Sequence, residues 1–456
     1  MPNLPLALLL TLAALPAAAA PLTLDEALST AARNNADLAL ARSARDVAAV
    51  DTGQSYSGLL PRLDLTGGFG RQYAGSQRVV TSAPVFDGAG NLTGFEQRTL
   101  PISAGESAAH QAALTLRWTL FDGLSSWRRV GAAQAAEEAS ARQLDESTLQ
   151  IAFEVTRRFY ELLKQERALR VREEAVERSE ELVRRADALY TAGRGTKADT
   201  FAARVNLGND RIAVESQRAA VVRARTDLAM ALGLSEAPAF ELVAPAPVAG
   251  PGLPSFGEPP PLPDLLALAR QRRPLLSARA AGVSAAEQQS SQARGAFWPV
   301  VGLQGTYQRA GPELTGSYGV LGSPAHQYAA TAQLTLAWNL FAGRETLAAA
   351  RKAELGAERA RVEASQAGQQ VAAEVARARE AVVTLARSSA LAQDNLAAAD
   401  QGLSLARERL EAGVASQLEV RDATQKLAEA KLALVSALVD HAVARADLAR
   451  AVGGAL

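Results

Sequence analysis

Leu114-Thr-Leu-Arg-Trp-Thr-Leu-Phe-Asp-Gly123 returns 220 residues later as Leu334-Thr-Leu-Ala-Trp-Asn-Leu-Phe-Ala-Gly343. In the first stretch Leu114, Leu116, Trp118 and Leu120 alternate with Thr115, Arg117 and Thr119. In the second, Leu334, Leu336, Trp338 and Leu340 alternate with Thr335, Ala337 and Asn339. A period of two marks a strand with one apolar and one polar face. Val301, Leu303, Gly305 and Tyr307 repeat the pattern, and Leu63, Leu65, Gly67 and Phe69 do so more weakly. Segments of about 10 residues with that alternation match strands of an outer-membrane barrel. Half-buried strands of a soluble protein show it too. Trp118, Phe121, Trp127, Trp298, Tyr318, Tyr328, Trp338 and Phe341 lie in or beside these segments, where interfacial aromatics belong.

Outward from the strands, the chain is two copies of one unit. Pro61 aligns with Pro299 and Asn35-Ala-Asp-Leu38 with Arg273-Pro-Leu-Leu276, at an offset of 238. Ala192-Gly193 pairs with Ala412-Gly413 and Ala231-Leu-Gly233 with Ala451-Val-Gly453, at an offset of 220. The 18-residue difference falls between Arg71 and Ala113, in glycine-rich sequence that reads as an exposed loop. The expected layout is repeat 1 over 21–233, a linker over 234–261 holding eight prolines, and repeat 2 over 262–456. Strands are expected at about 61–73, 112–121, 299–309 and 330–341. Helices are expected at Leu24 to Gly58, Ser126 to Ala192 and Lys197 to Leu232, then Pro263 to Arg294, Glu345 to Ala412 and Gln417 to Val452. Each long helix spans about 100 Å, and the two shorter ones together equal it. In the last helix Val420, Leu427, Leu434 and Leu448, with His441 in line, form one apolar stripe, and Leu418, Leu432 and Val439 a second. Seams on both sides suit a helical wall with neighbours on both sides, a solid bundle being the alternative.

Composition excludes several classes. With 48 basic and 48 acidic side chains the chain lacks the basic face that nucleic acid requires. No cysteine means no disulfide, thiolate nucleophile or lipidated cysteine. Residues 1–20 read as an export signal, with the apolar run Leu6 to Leu15 and the small cluster Ala17–Ala20, although no charged side chain precedes the run. His110 and His326 fall in expected loops and His441 on an apolar stripe, none with a second ligand at metal spacing. Gly193-Arg-Gly-Thr-Lys197 lacks the glycine-to-lysine spacing of a phosphate loop, and Gly67-Gly-Phe-Gly70 lies inside a strand segment. No acid/base set for catalysis emerges, and no cofactor is expected.

Four strands cannot close a barrel, and hydrocarbon does not tolerate open edges, so a membrane-embedded chain must oligomerise. Three copies would supply twelve strands. Here the sequence resembles the TolC family of trimeric outer-membrane efflux channels over the whole mature chain. The resemblance rests on the duplicated unit, on Pro61 and Pro299, on Leu-Phe-Asp-Gly123 and Leu-Phe-Ala-Gly343, and most of all on Gly413-Val-Ala-Ser-Gln-Leu-Glu-Val-Arg-Asp-Ala423. It implies a mainly α protein with membrane β: a homotrimer with a twelve-stranded outer-membrane β-barrel and a twelve-helix periplasmic α-barrel. It also implies outer-membrane lipid, a periplasmic adaptor and an inner-membrane transporter as partners.

Gly193 and Gly413 stand where the long helices should stop, followed by capping boxes at Thr196-Lys-Ala-Asp199 and Ser416-Gln-Leu-Glu419. The boxes give Asp199 and Glu419 structural roles, but both remain candidates near a lumen. No cap requires Asp422. The resemblance implies that Glu419 and Asp422 line the periplasmic constriction, where three chains would gather six carboxylates. Asp422 paired with Arg421 or Lys426 on a solvated face is the alternative. The tyrosine and arginine that tie the gate in relatives correspond to Leu410 and Ala415, and Tyr190 with nearby Arg194 holds the equivalent place in copy one. The expected function is a passive exit duct for a tripartite efflux or type I secretion system, not an enzyme. A trimeric adhesive surface protein with a barrel anchor and helical stalk is the alternative, and a soluble periplasmic adaptor a third reading.

Overall fold

The computed structural model describes residues 21–236, 240–243, 258–323 and 328–454. The signal segment, most of the proline-rich linker and His326 lie outside the described residues. The chain divides into two units, one comprising residues up to Ala48, Ala136–Val283 and residues from Ala360 on, the other Ala49–Ala135 and Ser284–Arg359.

The first unit is helical. It holds most of the long helices α3 (Ser125–Thr191) and α7 (Glu345–Glu411), 67 residues each, whose first residues belong to the second unit, and all of α4 (Lys197–Leu232) and α8 (Gln417–Val452), 36 each. The wall runs α4–α3–α8–α7. Val155, Phe159 and Leu162 of α3 pack with Val221, Ala224 and Leu228 of α4. Tyr160 and Leu163 of α3 pack with Val439 of α8, and Leu403 and Ala406 of α7 with Val420 and Leu427 of α8. Both expected stripes of α8 therefore find neighbours, although Leu418 at the start of the second is exposed. Along α3 and α4 four ion pairs recur every seven residues: Glu166–Arg225 at 3.9 Å, Glu173–Arg218 at 3.5 Å, Glu180–Arg211 at 2.8 Å and Asp187–Arg204 at 3.3 Å.

The first helix of each copy is broken where one continuous helix was expected. Copy one has α1 (Leu24–Asn34) and α2 (Ala36–Ser55), and copy two has α5 (Leu262–Arg272) and α6 (Pro274–Arg294). The breaks receive the ends of α4 and α8. A Cβ on Gly233 (φ 73°) would stand 2.3 Å from the Asn34 carbonyl oxygen, and one on Gly453 (φ 97°) 2.8 Å from that of Arg272. Asn35 Nδ2 donates to the Ala231 carbonyl at 3.0 Å, and an Arg273 Nη donates to that of Arg450. Pro21–Leu22 (β1) pairs in parallel with Glu241–Leu242 (β6), which gives part of the expected linker a place in a small sheet.

The second unit holds an antiparallel sheet in the order β2 (Arg62–Ala74), β5 (Gly105–Phe121), β7 (Val300–Gly311), β8 (Tyr328–Ala337). Two expectations need correction. The glycine-rich region is no plain loop: β3 (Gln77–Phe86) and β4 (Leu92–Ile102) form a separate hairpin, and β5 begins at Gly105 instead of 112. His110 therefore lies in a strand, stacked on Phe69 at 5.9 Å. The second change is that β8 stops at Ala337, so Trp338, Leu340 and Phe341 fall outside it. There the Trp338 indole N–H donates to the Phe297 carbonyl at 3.1 Å, as Trp118 does to Leu59 at 3.0 Å. The duplication extends to the turns leaving the strands. Gly123-Leu124 and Gly343-Arg344 all have positive φ, a conformation non-glycine residues rarely take.

Candidate functional site

The register sorts the sheet into two faces. Leu63 lies opposite Leu116, Leu65 opposite Leu114, Trp118 opposite Leu303 and Leu303 opposite Leu334, which puts the apolar positions of all four strands together. The other face brings Thr66, Thr115, Thr306 and Thr331 together with Gln304 and Gln333. Leu63, Leu65, Phe69, Leu334 and Leu336 are exposed on the apolar side. From Trp118 to His110 on β5 the strand advances about 27 Å. A strand tilt of about 40° makes that about 20 Å of height, slightly under the apolar band of an outer-membrane barrel. Trp118, Phe121, Trp298, Trp338 and Phe341 all cluster at the end where strands join helices, and all are exposed. No described helix is long and apolar enough to cross a membrane.

Among the described residues both layers end in unpaired edges. In the sheet, β2 and β8 each have one strand neighbour. In the helical wall the outer members are α4 and α7. On α4, Phe201, Val205, Ile212, Val222 and Met230 are exposed and, at intervals of 4, 7, 10 and 8 residues, fall on one side of the helix. On α7, Val362, Leu391 and Leu405 are exposed. These rows leave apolar surface uncovered on each flank of the chain.

At the helix tips, Gly193 (φ 70°) and Gly413 (φ 76°) end α3 and α7 in the left-handed conformation. The Gly193 N–H donates to the Tyr190 carbonyl at 3.0 Å and the Gly413 N–H to that of Leu410 at 3.1 Å. Copy one has the full capping box: the Thr196 and Asp199 N–H groups donate to each other's side chains at 3.1 and 3.2 Å. Hydrogen bonds from the Thr196 side chain and backbone hold the Asp199 carboxyl below its ordinary value. Copy two has half a box. The Glu419 N–H donates to Ser416 Oγ at 3.3 Å, but the Glu419 carboxylate turns instead to Arg409 at 3.0 Å. Arg409 offers that carboxylate a charge, which a backbone amide cannot. Asp422 pairs with Lys426 at 2.7 Å, one helical turn on, and this contact raises the Lys426 pKa. Tyr190 and Arg194 are exposed, and among the described residues neither side chain has a partner. The two candidate sets lie at the tips of separate hairpins, α3–α4 and α7–α8. Among the described residues no group of histidine and acidic side chains is arranged to hold a metal ion.

A family model described as outer membrane efflux protein matches residues 27–234 and 265–454, which is both repeats. The chain belongs to the outer membrane efflux protein family. It is an outer membrane channel component and not an enzyme. Protein CyaE of Bordetella pertussis is 31% identical over 225 residues, a stretch that covers 45% of each protein. The chain thus matches about half the length of that curated relative. A membrane protein from Pseudomonas aeruginosa superimposes with TM-score 0.77 at 21% identity, over 94% of this chain and 93% of its own. The CmeC outer membrane channel of Campylobacter jejuni does so with TM-score 0.76 at 18% identity, over 94% and 85%.

Proposed function

We propose that three copies of this outer membrane efflux protein close a twelve-stranded β-barrel and a twelve-helix α-barrel. The assembly is a passive exit duct for a tripartite efflux or type I secretion system. A periplasmic adaptor and an inner-membrane transporter deliver its substrates. One observation carries the reading: one face of the sheet is leucine-rich and apolar toward the helix-joining end, and among the described residues the sheet's two edges are unpaired. Arg71, Glu106 and Arg309 stand on that face only toward the other end. In hydrocarbon each unsatisfied backbone group costs several kcal/mol, so β2 and β8 must be paired by other copies. Reconstitution in planar bilayers tests it, discrete conductance steps being expected. An adhesive stalk would give a membrane-anchored trimer without conductance.

The gate in this reading lies at the helix tips, closed at rest by packing and polar links and opened by the partner complex. Asp422, Glu419, Asp199, Tyr190 and Arg194 are the candidate lumenal residues there. The in-chain pairs Asp422–Lys426 and Glu419–Arg409 partly neutralise the carboxylates, so their field is weaker than six bare charges would produce. Replacing Asp422 with alanine leaves Lys426 uncompensated and should weaken block by multivalent cations added from the periplasmic side. Unchanged conductance and unchanged block would remove Asp422 from the lumen.

A further inference from the structure

The polar face of the sheet is almost free of charge. Among the described residues of that face, in the registers pairing β2, β5, β7 and β8, the charged ones are Arg62, Asp64 and Arg117. They form one cluster. Arg62 Nε donates to Asp64 Oδ1 at 2.8 Å, and Arg117 Nη1 donates to Asp64 Oδ2 at 2.9 Å. Arg62 and Arg117 are direct cross-strand partners, an arrangement that like charges disfavour. Asp64 relieves the repulsion and orients both guanidinium groups with its two oxygens. Arginine carries five N–H donors, so both groups keep donors free after these contacts. Both side chains remain largely in solvent, 78% exposed for Arg62 and 57% for Arg117. The cluster carries a net +1, at the end of the sheet where β2 begins and β5 leads into α3.

Copy two has no equivalent. Val300, Gly302 and Ala337 hold the corresponding positions, so the charge belongs to one copy of the duplicated unit. In lipid only the leucine-rich face can meet hydrocarbon, and the Thr/Gln face must then face the lumen.

We propose that Arg62, Asp64 and Arg117 of three chains form an electropositive collar, an anion-binding station for solutes carrying carboxylate or phosphate groups. The inference rests on the duct reading above and adds a substrate-selective element to it. Asp64 is a positioning residue whose own charge opposes the collar. Free guanidinium donors meet an anion with charge-assisted hydrogen bonds, the strong kind, in fork geometry suited to carboxylate and phosphate. The wall around them offers only neutral amide, hydroxyl and backbone groups. The station is weak enough for release because each cluster stays open to water and is screened by salt.

The test uses the full-length trimer in planar bilayers, with inorganic tripolyphosphate added on the barrel side. The wild type should show blocked conductance at low ionic strength, with relief in 1 M salt, where screening falls to about 3 Å. Losing two charged donors per chain should raise the half-blocking concentration at least about tenfold in an R62Q/R117Q variant. Asp64→Asn should act in the opposite direction and lower it, since the net charge per chain becomes +2. Equal half-blocking concentrations in wild type and R62Q/R117Q would overturn the collar, as would weaker block in Asp64→Asn. Absence of any conductance in the wild type would instead overturn the duct reading itself.

Discussion

Asn35 and Arg273 occupy equivalent places in the two copies, yet only one is charged. Asn35 reaches a single carbonyl of α4, whereas Arg273, 2% exposed, also donates to Glu146 Oε1 of α3 at 2.7 Å, with Glu374 at 3.5 Å. Glu146 is fully buried, and its copy-two equivalent is the neutral Gln366. Removing one partner of a buried pair strands the other charge, so Arg273→Met should cost about 3–5 kcal/mol. Adding Glu146→Leu should restore part of that, because no lone carboxylate remains. Denaturant titration of the purified protein checks it, and strictly additive losses would mean that the pair is uncoupled. The alignment of Asn35 with Arg273 was visible in the sequence. Pro274 carried a signal for the break that the expected continuous helix over Pro263 to Arg294 passed over, since the residue before proline avoids helical geometry. That Arg273 reaches a carboxylate 127 positions away was hidden, because nothing local records a long-range burial.

Helices α3 and α4 show how much pairing a heptad can encode. Acids at 166, 173, 180 and 187 face arginines at 225, 218, 211 and 204, and both series can be read directly from the sequence. The two series become a ladder only when α4 is folded back on α3. The turn glycines had already announced that reversal. The equivalent rungs in copy two are largely lost: Arg407 meets Thr424 in that register, and Gln393 meets Leu438. Lys431 instead pairs across to Glu174 of α3 at 2.6 Å. Exposed pairs contribute about 0.2–1 kcal/mol each. Replacing Arg204, Arg211, Arg218 and Arg225 with glutamine should lower stability by about 1–3 kcal/mol at low salt. The gap from wild type should shrink at 1 M salt, and thermal melts at two ionic strengths measure it. The hairpin β3–β4 was not legible in the same way. Pro84 and Pro101 read as strand breakers, and Val79-Val80 interrupts the alternation. The long helices were placed to within about two residues because their boundaries carry glycine and capping signals.

At the scale of the whole molecule, the sheet and the helical wall each stop, among the described residues, at four members with two free flanks. An isolated chain would leave the backbone edges of β2 and β8 unpaired, along with the apolar rows of α4 and α7. A cyclic arrangement satisfies every one of these surfaces with a heterologous contact, α4 of one copy against α7 of the next and β2 against β8. With four strands per chain, the twelve-stranded barrel of the proposed duct corresponds to three copies. The absence of cysteine makes the assembly directly addressable, since any introduced thiol is the only one present. Ile212 on α4 and Leu391 on α7 are 69% and 64% exposed in the single chain, which leaves both available to a neighbour. A variant carrying Ile212→Cys and Leu391→Cys should give dimer and trimer bands with a short thiol cross-linker in intact outer membranes, and no larger species. Each single variant should stay monomeric under the same conditions, because α4 meets α7 and not its own symmetry mate. Cross-linking by either single variant would point to a two-fold contact, which cannot propagate around a closed barrel of three.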